Sequence, residues 1–581
     1  MNAGSHEAGL SDAGMNHAGI NGWYAALLER APWVVIGLAL LVFGAGLGLR
    51  DPWPADEPVY SLIARDMLRH GNWLIPMVGG DYFQDKPPLL FWLQAVAYWI
   101  TGSYRVGFLL PSLLAGIGTL LLVYDLGRRL WNKEAGFNAA LVLLFTVQFT
   151  LQARRAQLDA LLVFFTTLSL YCLLRQLLLG GGWRWAIGAG IAAGLGTLSK
   201  VVGFFSFMVL LPWLYAVWSK WPGVRWQRPW PAWLLAGIAW AAVVAAWLLP
   251  VWLLAQRDPG VRDYFHELVF VQTFGRYVDP WHHYRPAWYY LQVMATLWLP
   301  AVLLLPWLLP RWWAALRLRD ARVLLPLGFA AVYLLFFTVS RGKRDLYILS
   351  ALPMLVLPMG YLLPGLWRRI SVQRTLAGFT ALVTLLCIGG YIYLSQVNVA
   401  RGARLLEAGG ISGFAPLLAI GGAGLVLLAV LRLRGAPLAL AGLLLVGWQV
   451  AGWWVFPAID GARSARDFIA KVEASAAPGR ELGLLAYHEH FLWHLKRPTV
   501  NFGHRRFREG AAESHDAAAW LAADASRQLL VSEHELKPCF ATAQARKIGD
   551  SSRGDWFLVT GAPDADCARQ GDATHVFHYA P

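Results

Sequence analysis

Charge is scarce in this chain: Asp, Glu, Lys and Arg together make up 15% of its 581 residues, against about 25% in ordinary soluble domains. That scarcity excludes a soluble, charge-coated globule. Acids are scarcer than bases, 35 against 50, which leaves a net charge of +15. The first thirty residues lack periodicity, and they lack the compact basic region and cleavage site of a secretory signal. Residues 1–32 therefore read as a disordered cytoplasmic tail. No internal repeat is visible, so a transporter built on inverted repeats gains no support. The hydrophilic segment 457–581 has no Gly-rich phosphate loop, no CxxC and no GxSxG, which leaves nucleotide, dithiol and serine-hydrolase chemistry without their usual motifs there. Cysteines number four. Cys172 and Cys387 fall inside apolar stretches and read as plain apolar residues. Cys539 and Cys567 can pair in a disulfide if their segment lies outside the cytoplasm.

What the chain has in abundance is hydrophobic length. It is 57% hydrophobic with 31 tryptophans and a mean hydropathy of +0.46, the composition of a multi-span membrane protein. Apolar stretches fill residues 33–456, at 33–49, 107–124, 135–152, 160–178, 183–198, 201–219, 231–256, 287–309, 323–340, 346–367, 376–395, 413–431 and 437–456. With about 20 apolar residues needed per crossing, they amount to about 13 transmembrane helices. Arginines gather in alternate loops: Arg128 and Arg129; Arg225 and Arg228; Arg311, Arg317, Arg319 and Arg322; Arg368, Arg369 and Arg374; Arg432 and Arg434. Cytoplasmic loops retain Lys and Arg, so these face in, and the loops with Asp56, Glu57, Asp81, Asp85 and Glu267 face out. The same retention explains the positive charge, and nucleic acid is not an expected partner. Trp281, Trp288, Trp312 and Trp313 sit at span ends, where indole rings favour the headgroup region. An odd number of spans after a cytoplasmic start puts residues 457–581 outside. There ELGLLAY, RQLLVS and DWFLVTG read as buried strands and 510–526 as a helix, a small soluble α/β domain.

The first outer loop, 50–106, carries most of the chemistry. After Asp56, the residues Val59, Leu62, Ile63 and Met67 share one helical face, so the segment reads as an amphipathic helix lying on the membrane. Residues 87–100, only fourteen long, read as a second interfacial helix; were they to cross, Arg128, Arg129 and Lys133 would all face out. Asp56 at a helix start suits an N-cap, yet a carboxylate on the membrane surface also suits a base for a hydroxyl acceptor. Sequence pattern alone does not choose between them. Asp159 opens a span and poses the same alternative. Lys200 is an outward lysine squeezed between two apolar stretches, and Lys343 lies at another outer edge with Arg341, Arg344 and Asp345; both break the charge rule, as does Arg154. Arg276, His282, His283 and Arg285 lie among aromatics in a further outer loop. Cations outside the membrane suit a phosphate headgroup. The HEH run at His488–His490 suggests a metal, but reads better as histidines on a strand surface.

These residues carry a resemblance. ADEPVYSLIARDML, GNWLIP and YFQDKPPLLFWLQA, followed by RRAQLDALLVFF, GLGTLSKVVG, ELVFVQTFGRY, HHYRPAWYYL and SRGKRDLYILSALP, resemble in their order the polyprenyl-phosphate-sugar-dependent membrane glycosyltransferases of the GT-C type. That superfamily includes the protein O-mannosyltransferases and the lipid A aminoarabinose transferases. The resemblance implies a catalytic carboxylate at Asp56, with Glu57 its neighbour and Asp159 a second characteristic acid. It implies donor-phosphate contacts at Lys86, Lys200, Arg276 and Lys343, and further substrate-site positions at Asp85, Tyr60, His282, His283 and Tyr347. Arg344–Asp345 depart from the usual residues around Lys343 and Tyr347. Val269–Phe270 stand ahead of Gln272 where aminoarabinose transferases have a Glu-His pair.

The implied reaction moves a sugar from undecaprenyl phosphate to a lipid A, lipopolysaccharide or other envelope-glycan acceptor, or to a protein, on the periplasmic face of a bacterial inner membrane. No cofactor is required by that chemistry, since the leaving group is a monophosphate; a divalent metal near Asp85 is compatible with it. A lipid-linked-sugar flippase is the rival from another class. It calls for ionisable residues near span centres, which here are nearly free of them.

Overall fold

The computed structural model describes residues 26–180, 182–224, 231–275, 284–504, 506, 509–541, 544–551, 554–572 and 575–581. Each apolar stretch of the sequence falls on helix. Among the described residues, eight helical segments are long and apolar enough to cross a membrane, from Tyr104–Leu130 to Ala436–Ser475. Two more qualify if bent pairs count as one: Lys133–Phe145 with Val147–Ala153, bent by 74°, and Tyr289–Leu297 with Ala301–Arg317, bent by 97°. The expected count of thirteen also included three shorter helices, Ala31–Gly44, Trp183–Ser199 and Ala415–Leu431. These have 14 to 17 residues, at or below the length usual for a span.

Helices stand at both segments read as surface helices, Glu57–His70 and Leu89–Thr101; the first is not one-faced, since every residue from Glu57 to Met67 is buried beneath the sheet and neighbouring helices. Thirteen residues rise about 20 Å, too little to cross a hydrocarbon core of about 30 Å. A two-stranded hairpin, β1 (Met77–Val78) and β2 (Asp81–Tyr82), joins the two helices.

The hydrophilic segment builds a six-stranded sheet from β3 (Leu482–Leu484), β4 (Thr499–Asn501), β5 (Gln528–Ser532), β6 (Gln544–Ser551), β7 (Gly554–Thr560) and β8 (Phe577–Tyr579), in the order β6-β7-β5-β3-β4-β8. The central trio β4-β3-β5 is parallel, and β7, β6 and β8 add antiparallel edges. Side chains alternate between the two faces, as strand geometry requires. Leu482, Leu484, Leu530, Trp556, Leu558 and Tyr579 pack on one face with Val59, Ile63, Val78 and Phe83 of the first outer loop. Val500, Leu529, Val531 and Val559 pack on the other with Ala517, Trp520 and Leu521 of the helix Ala512–Ala522. The outer loop and the sheet thus share one core. Cys539 and Cys567 form a disulfide. The compositional change near 457 falls inside the helical run Ala436–Ser475, so membrane and sheet regions are joined without a linker.

The HEH run is not on a strand. Glu489–His494 is a helix, His490 is buried, and the rings of His488 and His490 stack 5.4 Å apart beside Phe491 and Trp556. Burial pushes the His490 imidazole down to about 3, so it stays neutral.

Candidate active site

Asp56 and Glu57 are neighbours with different surroundings. Glu57 is 4% exposed and accepts from Arg50 Nη1 at 2.5 Å, Arg50 Nη2 at 2.8 Å, Trp53 N at 2.9 Å and Ala156 N at 3.0 Å. Burial opposes its ionisation, but the Arg50 charge and these donors outweigh it and hold the carboxyl below its usual value. Arg50 also donates to the Arg154 carbonyl at 3.1 Å. Arg154 in turn donates to the carbonyls of Val42 and Ala45, at the C-terminal end of Ala31–Gly44, where a cation complements the helix dipole. Arg154, which breaks the charge alternation, is thus used internally.

Asp56 occupies the N-cap position of Glu57–His70, yet its side chain makes no cap bond. It accepts instead from Gln157 Nε2 at 2.9 Å, and Arg344 Nη2 stands 3.7 Å away. The side chain keeps 20% of its surface exposed. Two residues beyond Gln157, Asp159 lies in the first turn of Leu158–Leu178 and pairs with Lys200 Nζ at 2.8 Å. Lys200 has extended backbone, φ −158° and ψ 128°, between Trp183–Ser199 and the 3-10 helix Val201–Val209. That break points the ammonium sideways, over the Tyr347 ring at 4.9 Å. The return is so tight that a Cβ on Gly203 would lie 2.0 Å from the Gly196 carbonyl carbon. Glycine there is a packing requirement.

Tyr60, buried against Phe83 and Phe91, completes the group. Burial, then the charges of Asp56, Asp159 and Asp85, raise its hydroxyl far above the usual value, so it stays protonated. Asp85 therefore shares the electrostatic neighbourhood of Asp56 and Asp159. Lys86 Nζ donates to the Asp85 carbonyl at 2.9 Å. Lys343 points elsewhere: it is 4% exposed and donates to the carbonyls of Ser340 at 2.5 Å and Arg285 at 3.3 Å. Its neighbour Arg344 is the cation that reaches Asp56. Burial opposes its charge, but Asp56 and Asp159 raise the guanidinium above its ordinary value.

Asp56, Asp159, Lys200, Tyr60, Tyr347 and Asp85 thus come together, while Arg276, His282 and His283 lie outside the described residues. Gln157 was not singled out from the sequence, and Arg344 was named only as one of several outer-edge cations, not as the partner of Asp56. Both stand in quoted runs, Gln157 as a polar residue in an apolar stretch and Arg344 where the run departs from its relatives. Among the described residues, two groups have metal-ligand proximity: His515–Cys539–Cys567, whose thiols are joined, and Asp516–Asp572–His575. Asp516 already accepts from Arg506 Nη1 at 2.7 Å.

The fold defines a polytopic membrane protein with a C-terminal α/β domain. In particular, it matches the crystal structure of ArnT from Cupriavidus metallidurans bound to undecaprenyl phosphate, with a TM-score of 0.70 over 93% of this chain and 98% of that one. At 19% identity this likeness speaks for the fold alone. The family model described as dolichyl-phosphate-mannose-protein mannosyltransferase matches residues 85–249, which hold Asp85, Lys86, Asp159 and Lys200. Undecaprenyl phosphate-alpha-4-amino-4-deoxy-L-arabinose arabinosyl transferase 2 of Pseudomonas fluorescens (strain Pf0-1) is 32% identical over 362 residues, 61% of this chain and 63% of that protein. The protein of the same name from Sodalis glossinidius (strain morsitans) is 30% identical over 353 residues, 59% and 61% of the two chains. The chain spans about three-fifths of the length of these curated relatives.

Proposed function

We propose that this chain is an integral membrane glycosyltransferase that moves a sugar from undecaprenyl phosphate to an acceptor on the periplasmic face, in the lipid A or lipopolysaccharide class. One observation carries the reading: Asp56, at a cap position but not capping, stands beside Gln157 and Arg344 and next to the Asp159–Lys200 pair. Asp56 takes the proton from the acceptor hydroxyl, or orients an acceptor that is already ionised. The acceptor oxygen attacks the anomeric carbon as the bond to phosphate oxygen breaks, with inversion. Charge building on the leaving phosphate meets Lys86, Lys200 and Arg276. A fixed cation or donor at such a position contributes about 3–4 kcal/mol. Lys200 has three N–H donors, and one is engaged with Asp159, which aims the others. Glu57 holds the helix that carries Asp56, and Lys343 ties two outer segments together.

A monophosphate leaving group met by three cations needs no metal, and a divalent ion near Asp85 is the alternative to test. The arginine alternation and the Cys539–Cys567 disulfide support a bacterial inner membrane location with a cytoplasmic N-terminus and a periplasmic sheet domain. The match to a protein mannosyltransferase family model favours a second reading, with a protein acceptor.

The test is Asp56→Asn followed by transfer from radiolabelled undecaprenyl-phosphate sugar. A fall of at least ~10²-fold with normal folding is expected; wild-type transfer removes Asp56 from the chemistry. Mass spectrometry of lipid A, surface glycans and glycoproteins after gene deletion separates the acceptors.

A further inference from the structure

We infer that Asn501 of the outer domain is a positioning residue: it grips the tip of the first-loop hairpin and thereby fixes Asp85 and Lys86 at the site. The inference rests on the donor-phosphate reading for Lys86. Asn501 lies on β4, paired with both β3 and β8, and its surface is 0% exposed. An asparagine amide buried in a strand needs a partner, and Nδ2 finds it outside the domain, donating to the Gly79 carbonyl at 2.7 Å. Asn501 Oδ1 accepts from Gly503 N at 3.2 Å, which sets the direction of the amide.

The hairpin is shaped for that grip. Gly79 and Gly80 have φ of +62° and +93°, the left-handed values a two-residue hairpin turn requires. A Cβ on Gly79 would lie 2.7 Å from Tyr487 Oη, and one on Gly80 3.3 Å from Phe577 Cβ. Asp81 Oδ2 accepts from His504 N at 2.9 Å, so the outgoing strand is held too. Phe83 is buried against Tyr60 and Phe91, with ring centroids 6.3 and 5.9 Å away. Asp85 and Lys86 follow two and three residues later. From Asp81 to Lys86 the chain spans at most about 18 Å, and it is anchored at Asp81 and Phe83. Little slack remains for Lys86 to move unless the tip moves.

The grip is broken from opposite sides by Asn501→Asp, which removes the donor and keeps the shape, and by Gly79→Ala, which leaves Asn501 intact. Asp564→Ala is the control: it removes the N-cap of Ala565–Gln570 in the same domain without touching the hairpin. The full chain in nanodiscs is followed by hydrogen exchange over Asp81–Lys86, by binding of radiolabelled undecaprenyl phosphate, and by thermal unfolding. Both grip variants are expected to speed exchange there about tenfold and to weaken undecaprenyl phosphate binding about five- to tenfold. Asp564→Ala should lower the melting temperature while moving neither. Folded grip variants with wild-type exchange or wild-type Kd overturn the inference, as does a control that weakens Kd equally. A wild-type protein that does not bind undecaprenyl phosphate overturns the donor reading instead, and exchange over Asp81–Lys86 then decides the grip by itself.

Discussion

Two adjacent carboxylates of the first outer loop meet opposite fates. Glu57 is sealed: Arg50 and two backbone N–H groups use its oxygens, and almost no surface is left. The side chain of Asp56, one residue earlier, accepts from Gln157, faces Arg344 at 3.7 Å and keeps a fifth of its surface open. Local sequence does not separate them, since both open the same helix. What separates them is what arrives from elsewhere in the chain. Residue 156 brings a backbone donor to Glu57, and residues 157 and 344 bring side chains to Asp56. The sealed acid holds the fold, and the open one is the acid that the proposed reaction uses.

Neutralising the sealed acid should be the more damaging change to stability. Glu57→Gln leaves Arg50 charged and buried without its partner, a defect that costs about 3–5 kcal/mol. A large fall in melting temperature in detergent is expected, and an unchanged one would dissolve the contrast between the two acids.

Glu513 sharpens the comparison, because it is buried with a backbone donor, Ala486 N at 2.9 Å, in place of a bonded arginine. Burial pushes its carboxyl up to about 7. Its folded value lies above the unfolded one, so its stability contribution is present below about pH 4.5 and is lost as pH rises through 7. Glu513→Gln should therefore gain stability relative to wild type between pH 5 and 8, by about 2–3 kcal/mol. Parallel melting curves across that range would contradict the assignment.

Smaller effects attend the open cluster. Lys200→Met should raise the donor KM about tenfold, or 1.4 kcal/mol, with melting little changed. An unchanged donor KM would remove the phosphate contact. Smallest of all, treatment with a chelator should leave transfer within about twofold of its rate, since the phosphate meets cations already present. Loss of transfer that is restored by a divalent ion would place a metal near Asp85.

Much of the fold and part of the site were legible in the sequence, but the contrast between the two acids was not. The charge alternation assigned the loops to two sides, and the short apolar run at 87–100 read as a helix too short to cross; a helix of thirteen residues stands there, at Leu89–Thr101. Lys200 stood out because an outward lysine between two apolar stretches is hard to explain otherwise, whereas Asp56 and Asp159 suited helix caps equally well and were picked out by the family resemblance. Glu57 was not separable from Asp56, because its partners Arg50 and Ala156 sit 7 and 99 residues away. Lys343 and Arg344 are adjacent cations, and only backbone direction shows that Lys343 turns onto carbonyls while Arg344 turns to Asp56. β4, β6 and β8 were missed since two are three-residue strands and β6 is largely exposed, with no apolar run to mark it. The span count of thirteen relied on helices of 14 to 17 residues, where length alone does not decide a crossing.

The central claim is that acids and cations from separate hydrophobic segments meet on one side of the membrane. It is tested most directly by single cysteines at positions 56, 200 and 344, probed with a membrane-impermeant thiol reagent in right-side-out and inverted vesicles. All three are predicted to label from the periplasmic side; labelling of positions 56 and 200 from opposite sides would contradict the shared site.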